Sequence, residues 1–233
     1  MPVQADKVQR VYRIRIALFL LSVVIVVALL STTYQAIQAL TRLDIVEHKR
    51  DQWQRPSEIL RALNLKEGNL VADLGCGSGY FTLKLSPAVG MHGRVVAIDI
   101  RRIALVFLWI RAVVRHDHNV SIVHAQPDNP DLPAGAVDAV LIANTYHELI
   151  SPEAILSCIF RSLHPGGRLV VVDRGPEAAK PEAREIEAPR HELPVETAAT
   201  EIRQSGFEIS VLQDRFVDPP GDSAWWLIVA RKP

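Results

Sequence analysis

The chain has 233 residues, 26 basic and 26 acidic side chains, and two cysteines. This length suits one ordinary domain with an appendage, the zero formal charge gives no overall attraction to nucleic acid, and two cysteines cannot build a disulfide framework. The mean hydropathy of +0.13 is high for a chain with 22% charged residues, so its apolar segments have to be located.

The first apolar segment is a predicted transmembrane helix over about residues 16–34, within an N-terminal region 1–41. Residues 16–41 contain no charged side chain, and about 20 apolar residues in a helix can cross a bilayer. We expect an uncleaved membrane anchor, with a secretory signal peptide or a buried or interfacial helix as alternatives. Basic residues flank the segment on both sides, so charge does not determine its orientation.

Residues 42–55 are charged and predict a connector helix, which leads into a domain over residues 56–233. There, short apolar runs alternate with helical patterns, which indicates parallel β-α-β units with helices on both faces of a sheet. The last two runs are joined by a turn and must pair antiparallel. The predicted strands are 69–74, 94–100, 121–124, 137–144, 168–173, 207–216 and 224–231, and the predicted helices are 57–63, 80–85, 101–115, 152–163 and 194–205. Residues 174–192 predict a loop with a short helix.

The glycine-rich segment after the first strand carries the strongest functional signal. It reads Asp73-Leu-Gly-Cys-Gly-Ser-Gly79, and such a turn lets a ligand approach the backbone and presents free N–H groups at the helix start. Asp99 ends the second strand, where a carboxylate can accept both ribose hydroxyls of a nucleoside cofactor. The carboxyl ends of neighbouring strands form the crevice that binds ligands in open α/β sheets.

The spacing of the glycines argues against a dinucleotide. The dinucleotide motif is G-x-G-x-x-G, and Tyr80 stands where its third glycine would fall. Asp73 would repel a pyrophosphate, whereas it could engage a cationic amino group. These features favour S-adenosylmethionine (SAM), which carries an ammonium group and no phosphate.

From about Trp53 onward the sequence resembles the class I SAM-dependent methyltransferases. The resemblance is carried by residues 71–82, 96–99, 138–147 and 163–169, in the family's order and spacing, and by the closing hairpin. It implies a three-layer, Rossmann-like α/β fold with a seven-stranded, mostly parallel sheet and a C-terminal antiparallel hairpin. The segment Asn144-Thr-Tyr-His147 is most similar to the small-molecule enzymes of menaquinone and ubiquinone biosynthesis.

The resemblance also implies a set of cofactor-binding residues. Asp73 and the glycine loop would hold the methionine part of SAM, Asp99 the ribose, and Ile100 would lie beside the adenine. Either Gln126 or Asp128 would meet the adenine amino group, and a residue at the tip of the fourth strand would face the methyl-transfer site. The complete set is Asp73, Gly75, Cys76, Gly77, Gly79, Asp99, Ile100, Gln126, Asp128 and Asn144.

Methyl transfer from a sulfonium is a direct displacement, so the protein mainly aligns the reactants and a general base is optional. The candidates for such a base are Tyr146, His147 and His191, with Glu148 as a further one. Each has an ordinary alternative: His147 as a hydrogen-bonded loop histidine, His191 as a solvated one, and Glu148 as a first-turn residue of the next helix. No metal site is expected from the sequence, since His116-Asp-His118 follows a helix without a partner cluster.

The predicted helix over residues 101–115 is unusual because Ile103–Val114 is apolar almost all round. Such a helix is buried, or it touches lipid or a partner. Membrane contact is one interpretation, and packing under the connector or in an oligomer is the other.

Together these features predict a membrane-anchored SAM-dependent methyltransferase with no nucleic-acid partner. Its acceptor is expected to be a small molecule and could be lipophilic. SAM is an intracellular metabolite, so the catalytic domain is expected to face the cytoplasm. Two other functions stay open: a SAM-binding sensor or scaffold that has lost catalysis, and an NAD-dependent oxidoreductase, which Tyr80 and the terminal hairpin disfavour. The acceptor atom and the oligomeric state are not determined by the sequence.

Overall fold

The computed structural model describes residues 2–176, 191–219, 221 and 223–233. The chain divides into two compact units, residues 1–49 and residues 50–233. Helix α1 runs from Pro2 to Trp53, so its last turn belongs to the second unit. Within the described chain, its portion Arg15–Trp53 is the one helix long and apolar enough to cross a membrane. The segments 16–34 and 42–53 are therefore parts of one unbroken helix.

The second unit is built on a seven-stranded sheet. Its strand order is β3-β2-β1-β4-β5-β7-β6, with β1 to β5 parallel and β7 antiparallel to both of its neighbours. The strands are β1 (Leu70–Leu74), β2 (Arg94–Asp99), β3 (Val120–His124), β4 (Val137–Ala143), β5 (Leu163–Arg174), β6 (Glu208–Val217) and β7 (Trp225–Arg231). The predicted α/β fold class and the closing antiparallel hairpin are confirmed.

Helices cover both faces of this sheet. They are α2 (Pro56–Leu63), α3 (Thr82–Val89), α4 (Arg102–Arg115), α5 (Pro152–Ser162) and α6 (Val195–Gln204), with a 3₁₀ turn at Tyr146–Glu148. Side chains alternate along a strand, so Val71 joins the core under α2 and α3 while Ala72 joins the core under α5 and α6. α4 packs over a smaller cluster beside α3. The arrangement has three layers, as expected.

Strand β5 is longer than predicted, because the Pro165-Gly-Gly167 segment is not a free turn. Val137 pairs with Leu163 and Ala139 pairs with Arg168, so the extra residues form an irregularity within the β4–β5 pairing. Backbone hydrogen bonds with Lys232 hold Gly166 and Gly167 from the other side. In the segment predicted as a loop with a short helix, residues 177–190 lie outside the described residues.

The strand order creates a switch point between β1 and β4, which are neighbours although β2 and β3 intervene in the chain. In open α/β sheets the connections diverge at such a point and leave a crevice at the carboxyl ends of the strands. The segments after β1, β2 and β4 meet at this edge. The fold therefore brings the glycine loop, Asp99 and Asn144 to one end of the sheet.

Candidate functional site

The glycine loop between β1 and α3 uses its three glycines in two ways. Gly75, Gly77 and Gly79 have positive φ values of 75°, 55° and 95°, which side chains disfavour. A Cβ at Gly75 would lie 2.2 Å from Thr145 Oγ1, and one at Gly79 would lie 2.4 Å from Leu108 Cδ1. At Gly77 the nearest atom would be 3.8 Å away. Two glycines thus pack against the protein, and Gly77 leaves space that a ligand could fill.

The backbone N–H groups of this loop are largely committed to the protein itself. Those of Gly75 and Cys76 donate to the carbonyl of the penultimate β2 residue at 2.8 and 3.0 Å. Gly77 N–H donates to Asp99 Oδ2 at 2.8 Å, and Gly79 N–H donates to Cys76 O at 2.9 Å. The expectation of free N–H groups is wrong for these four residues. A loop so arranged suits a ligand without phosphate better than a pyrophosphate, which needs free donors.

Asp99 is a buried carboxylate at the edge of the cleft. Besides Gly77, it accepts the backbone N–H of Arg101 at 2.8 Å, while the Arg101 guanidinium contacts it at 3.3 and 3.5 Å. This carboxylate raises the pKa of Arg101 through their hydrogen bond. The Arg101 side chain is 61% exposed, so it can swing into solvent. That movement would leave acceptor positions of Asp99 for the hydroxyls of a ligand.

A cleft opens beside Asp99. Of the expected cofactor residues, Gly75, Asp99, Ile100 and Gln126 line it. Asp128 is exposed and does not, so the structure favours Gln126 of the two alternatives. The full lining is Leu74, Gly75, Ile98, Asp99, Ile100, Arg101, Ala125, Gln126, Pro127, Thr145, Glu148, Leu149, Ile150 and Ile155.

Cys76 and Asp73 lie behind the loop rather than on the cleft surface. The Cys76 side chain packs in the core under α4, where burial raises the pKa of its thiol. Cys76 can therefore contribute only its backbone to a ligand site. Asp73 is buried and accepts the Thr82 hydroxyl at 2.5 Å; burial raises its pKa to about 6 despite this hydrogen bond.

Asn144 follows β4 with a positive φ of 56°, a conformation that asparagine tolerates better than most residues. Its side-chain Oδ1 is buried and has no hydrogen-bond partner among the described residues. A buried acceptor without a partner is costly unless a ligand or water satisfies it. This orphaned acceptor, the space at Gly77 and the carboxylate of Asp99 fit a cofactor with hydroxyl and amino groups, as SAM has.

Two of the predicted base candidates lie together. His147 is buried, and its Nε2 lies 3.2 Å from Nδ1 of His191, while Glu148 Oε1 lies 3.7 Å from His147 Nε2 and 3.8 Å from His191 Nδ1. Behind them, Asp173 Oδ1 lies 2.8 Å from His147 Nδ1, and Asp173 Oδ2 accepts the His147 backbone N–H. Asp173 was not predicted as a site residue, although a carboxylate at the carboxyl end of an apolar strand is a signal for one.

The protonation of His147 bears on its predicted role. Burial lowers the pKa of His147, but the hydrogen bonds to Asp173 and Glu148 outweigh this effect and raise its pKa to about 9. A histidine with that pKa holds its proton at neutral pH. His147 in this state is a hydrogen-bond donor rather than a base.

Tyr146 does not reach the cleft. Its side chain is fully buried and packs edge-on against Trp226, and its hydroxyl donates to Glu201 Oε2 at 2.7 Å. The 3₁₀ turn explains this, because it directs Tyr146 into the core under α5 and α6. The proposal of Tyr146 as a base is therefore corrected to a structural role. Thr145, which the sequence analysis did not single out, lines the cleft instead.

The chain is similar to known proteins in both sequence and structure. Residues 72–171 match the sequence profile of a family described as "Methyltransferase domain". The chain is 34% identical over 113 residues to the ubiquinone/menaquinone biosynthesis C-methyltransferase UbiE of Pasteurella multocida. This match covers 47% of this chain and 41% of that protein. The chain thus spans less than half the length of this curated relative.

Two solved structures share the fold. A SAM-dependent methyltransferase from Aquifex aeolicus has a TM-score of 0.64 at 24% identity, covering 76% of this chain and 89% of that chain. The geranyl diphosphate C-methyltransferase of Streptomyces coelicolor, solved with S-adenosyl-L-homocysteine, has a TM-score of 0.65 at 16% identity, covering 80% and 82%. The sequence match over residues 72–171 and the shared fold agree with the methyltransferase domain and the SAM cofactor that the motifs predicted.

Proposed function

We propose, from the premise that this chain carries a class I SAM-dependent methyltransferase domain, that it transfers a methyl group from SAM to a small, lipophilic acceptor at a membrane surface. The observation that carries the proposal is the cleft beside Asp99, where a buried carboxylate and an apolar wall meet. The carboxylate supplies polarity for a ribose, and the wall suits an adenine.

Different residues of the site bind different parts of SAM. Asp99 accepts the ribose hydroxyls once Arg101 swings away, and Ile100 and Gln126 contact the adenine. Asp73, behind the loop, attracts the ammonium group. When bound, SAM supplies the methyl group and its own leaving group, so the protein contributes alignment and exclusion of water.

A lipophilic acceptor is supported by the apolar residues around the cleft mouth. Ile100 and Ile150 line the cleft, yet they are 54% and 83% exposed, and Ile103 at the start of α4 is 76% exposed. Burying such side chains against an apolar acceptor removes them from water, which is favourable. The relative from Pasteurella multocida is named for ubiquinone and menaquinone biosynthesis.

Attachment to the membrane is supported by two separate features. The helix portion Arg15–Trp53 has the length and composition of a membrane span. Helix α4 presents an apolar face with basic ends, Arg102 and Arg115, and this pattern suits the surface of a bilayer with anionic lipids. The residues of that face are each more than half exposed: Ile103, Val106, Trp109, Val113 and Val114. We propose that the domain faces the cytoplasm, where SAM is made.

Membrane contact by the exposed apolar face of α4 can be tested by fluorescence quenching. In the full chain reconstituted into bilayers with anionic lipid, brominated lipid should quench the fluorescence of Trp109, because this side chain would enter the interface. The Trp109→Phe variant should lose that part of the quenching, and Ile103→Glu/Val113→Glu should reduce it to the same level. Met91→Glu, at an 89% exposed apolar residue outside α4, is the matched control. Equal quenching in wild type and Trp109→Phe would contradict membrane contact by α4.

Asp73 is expected to make the affinity for SAM depend on pH, and the pKa of Asp73 fixes the sign of this dependence. Burial raises this pKa to about 6 in the folded protein, so the carboxyl is neutral below that pH and offers no charge to an ammonium group. SAM affinity is therefore expected to rise as the pH rises through about 6, by up to tenfold per pH unit below it. Calorimetry between pH 5 and pH 7 measures this, and Asp73→Asn should bind weakly with a flat profile. A flat profile in wild type would remove Asp73 from the site.

The proposed reaction is tested with methyl-labelled SAM, the full chain in detergent, and membranes and extract from the source cells. S-adenosylhomocysteine and a labelled product that partitions into organic solvent are expected. Asp99→Ala is the inactive control. A product found only in the aqueous phase would contradict the lipophilic acceptor. Binding of SAM without any S-adenosylhomocysteine would favour a sensor or scaffold.

A further inference from the structure

The cluster of His147, Glu148 and His191 has the composition of a metal site. It offers two imidazole nitrogens and one carboxylate oxygen, the donor set that zinc and related divalent transition metals prefer. The three donor atoms are separated by 3.2, 3.7 and 3.8 Å. A point in their plane lies about 2.1 Å from all three atoms, and this is the usual bond length from zinc to imidazole nitrogen or carboxylate oxygen.

The surroundings of His147 orient it for such a role. Asp173 is fully buried and accepts from His147 Nδ1, and since a carboxylate can only accept, the proton lies on Nδ1. Nε2 then faces the other two donors, after loss of its own proton, as any histidine ligand requires. A second hydrogen bond from the His147 backbone N–H to Asp173 fixes the residue in place. A carboxylate behind a ligating histidine is the common support of metal sites.

We propose that His147, Glu148 and His191 bind one divalent transition metal ion of the zinc class, with at least one coordination position open to a ligand. This differs from the expectation of no metal that the sequence supported. It arises because the fold brings together residues 43 or more positions apart: His147 and Glu148 follow β4, and His191 follows β5.

The location of the site indicates its ligand. Glu148 also lines the cleft beside Asp99, so an ion bound to it lies at the cleft edge. We infer, on the basis of the proposed function, that the open position takes a hydroxyl oxygen of the acceptor. The bond from the metal to a water molecule would break, a bond to the hydroxyl oxygen of the acceptor would form, and the displaced water and the hydroxyl proton would pass to solvent. This step would suit an acceptor of the phenol or enol class, whose deprotonated form is the better nucleophile.

Cobalt(II) is the probe, because its visible absorption reports coordination by nitrogen and oxygen ligands. The full chain, without an affinity tag and freed of metal by a chelator, is titrated with Co²⁺ in detergent at mildly alkaline pH. One equivalent should bind with the absorption of a four- or five-coordinate ion, and Zn²⁺ but not Mg²⁺ should displace it. His191→Ala should weaken binding at least tenfold, and Asp173→Asn roughly ten- to a hundredfold.

The matched control is His118→Ala, which removes an exposed histidine outside the cluster. Equal Co²⁺ affinity of wild type and His191→Ala, or absorption no different from Co²⁺ in buffer, would overturn the metal site. SAM binding is measured on the same samples. SAM binding is expected to require none of the three proposed metal-binding side chains. Intact SAM binding without a metal site would therefore overturn this inference alone, whereas a metal site without SAM binding would support it and contradict the proposed function.

Discussion

Replacing Asp99 with alanine is expected to weaken SAM binding by roughly a hundredfold. A hydrogen bond to a charged group contributes about 1.5–3 kcal/mol, and Asp99 is proposed to accept two from the ribose, so about 3 kcal/mol is lost. The side chain is 4% exposed, which makes these bonds strong because water competes with them little. Calorimetric titration of the full chain in detergent measures the change.

Asp128→Ala is the matched control for this variant. It removes the same carboxyl from an exposed position in the neighbouring loop, which does not line the cleft, and SAM affinity should stay within about twofold. Asp99→Asn separates charge from shape, since an amide oxygen can still accept Gly77 N–H; an intermediate loss of roughly tenfold is expected. Equal SAM affinity in wild type and Asp99→Ala would show that the cofactor binds elsewhere.

The Gly75→Ala variant is expected to lower the free energy of unfolding by about 3 kcal/mol or more and to abolish SAM binding. The φ of 75° costs a side chain about 1–2 kcal/mol, and the new methyl group would lie 2.2–2.6 Å from three atoms of Thr145. Relief of this contact must shift the glycine loop or the segment after β4, and Gly75 and Thr145 both line the proposed site. Urea unfolding followed by the fluorescence of the buried Trp225 and Trp226 measures the loss.

Gly77→Ala gives the control two residues away, with the same chemical change and also a positive φ. Because its new Cβ has no neighbour within 3.7 Å, only the conformational cost of about 1–2 kcal/mol is expected. Adding Thr145→Gly to Gly75→Ala should restore part of the stability, as it removes the contacting atoms. Equal destabilisation by Gly75→Ala and Gly77→Ala would contradict the steric explanation.

Much of the fold could be predicted because its signals are local. Strands buried on both faces are continuous apolar runs in the sequence, and the segment between the last two strands is too short to connect them in parallel, so they form an antiparallel hairpin. Asp99 and the glycine loop were found because Asp99 ends a strand and the loop directly follows one. In a parallel sheet such positions share one edge, so order along the chain predicts proximity.

The features that could not be predicted depend on the directions of side chains and on contacts between residues that are far apart in the sequence. Tyr146 and His147 are adjacent, yet one side chain enters the core and the other meets Asp173, because a 3₁₀ turn separates their directions. The loop N–H groups are bound because β2 ends beside them, which no spacing of glycines reveals. The approach of His191 to His147 joins two residues that are 44 positions apart in the sequence, and the sequence contains no signal for this contact.

The most direct test of this account is a calorimetric titration of the full chain in detergent with SAM, and separately with NAD. A SAM site in the cleft predicts saturable binding of one SAM per chain, competition by S-adenosylhomocysteine, and no heat with NAD. Absence of saturable SAM binding to the folded protein, or tighter binding of NAD than of SAM, would contradict it.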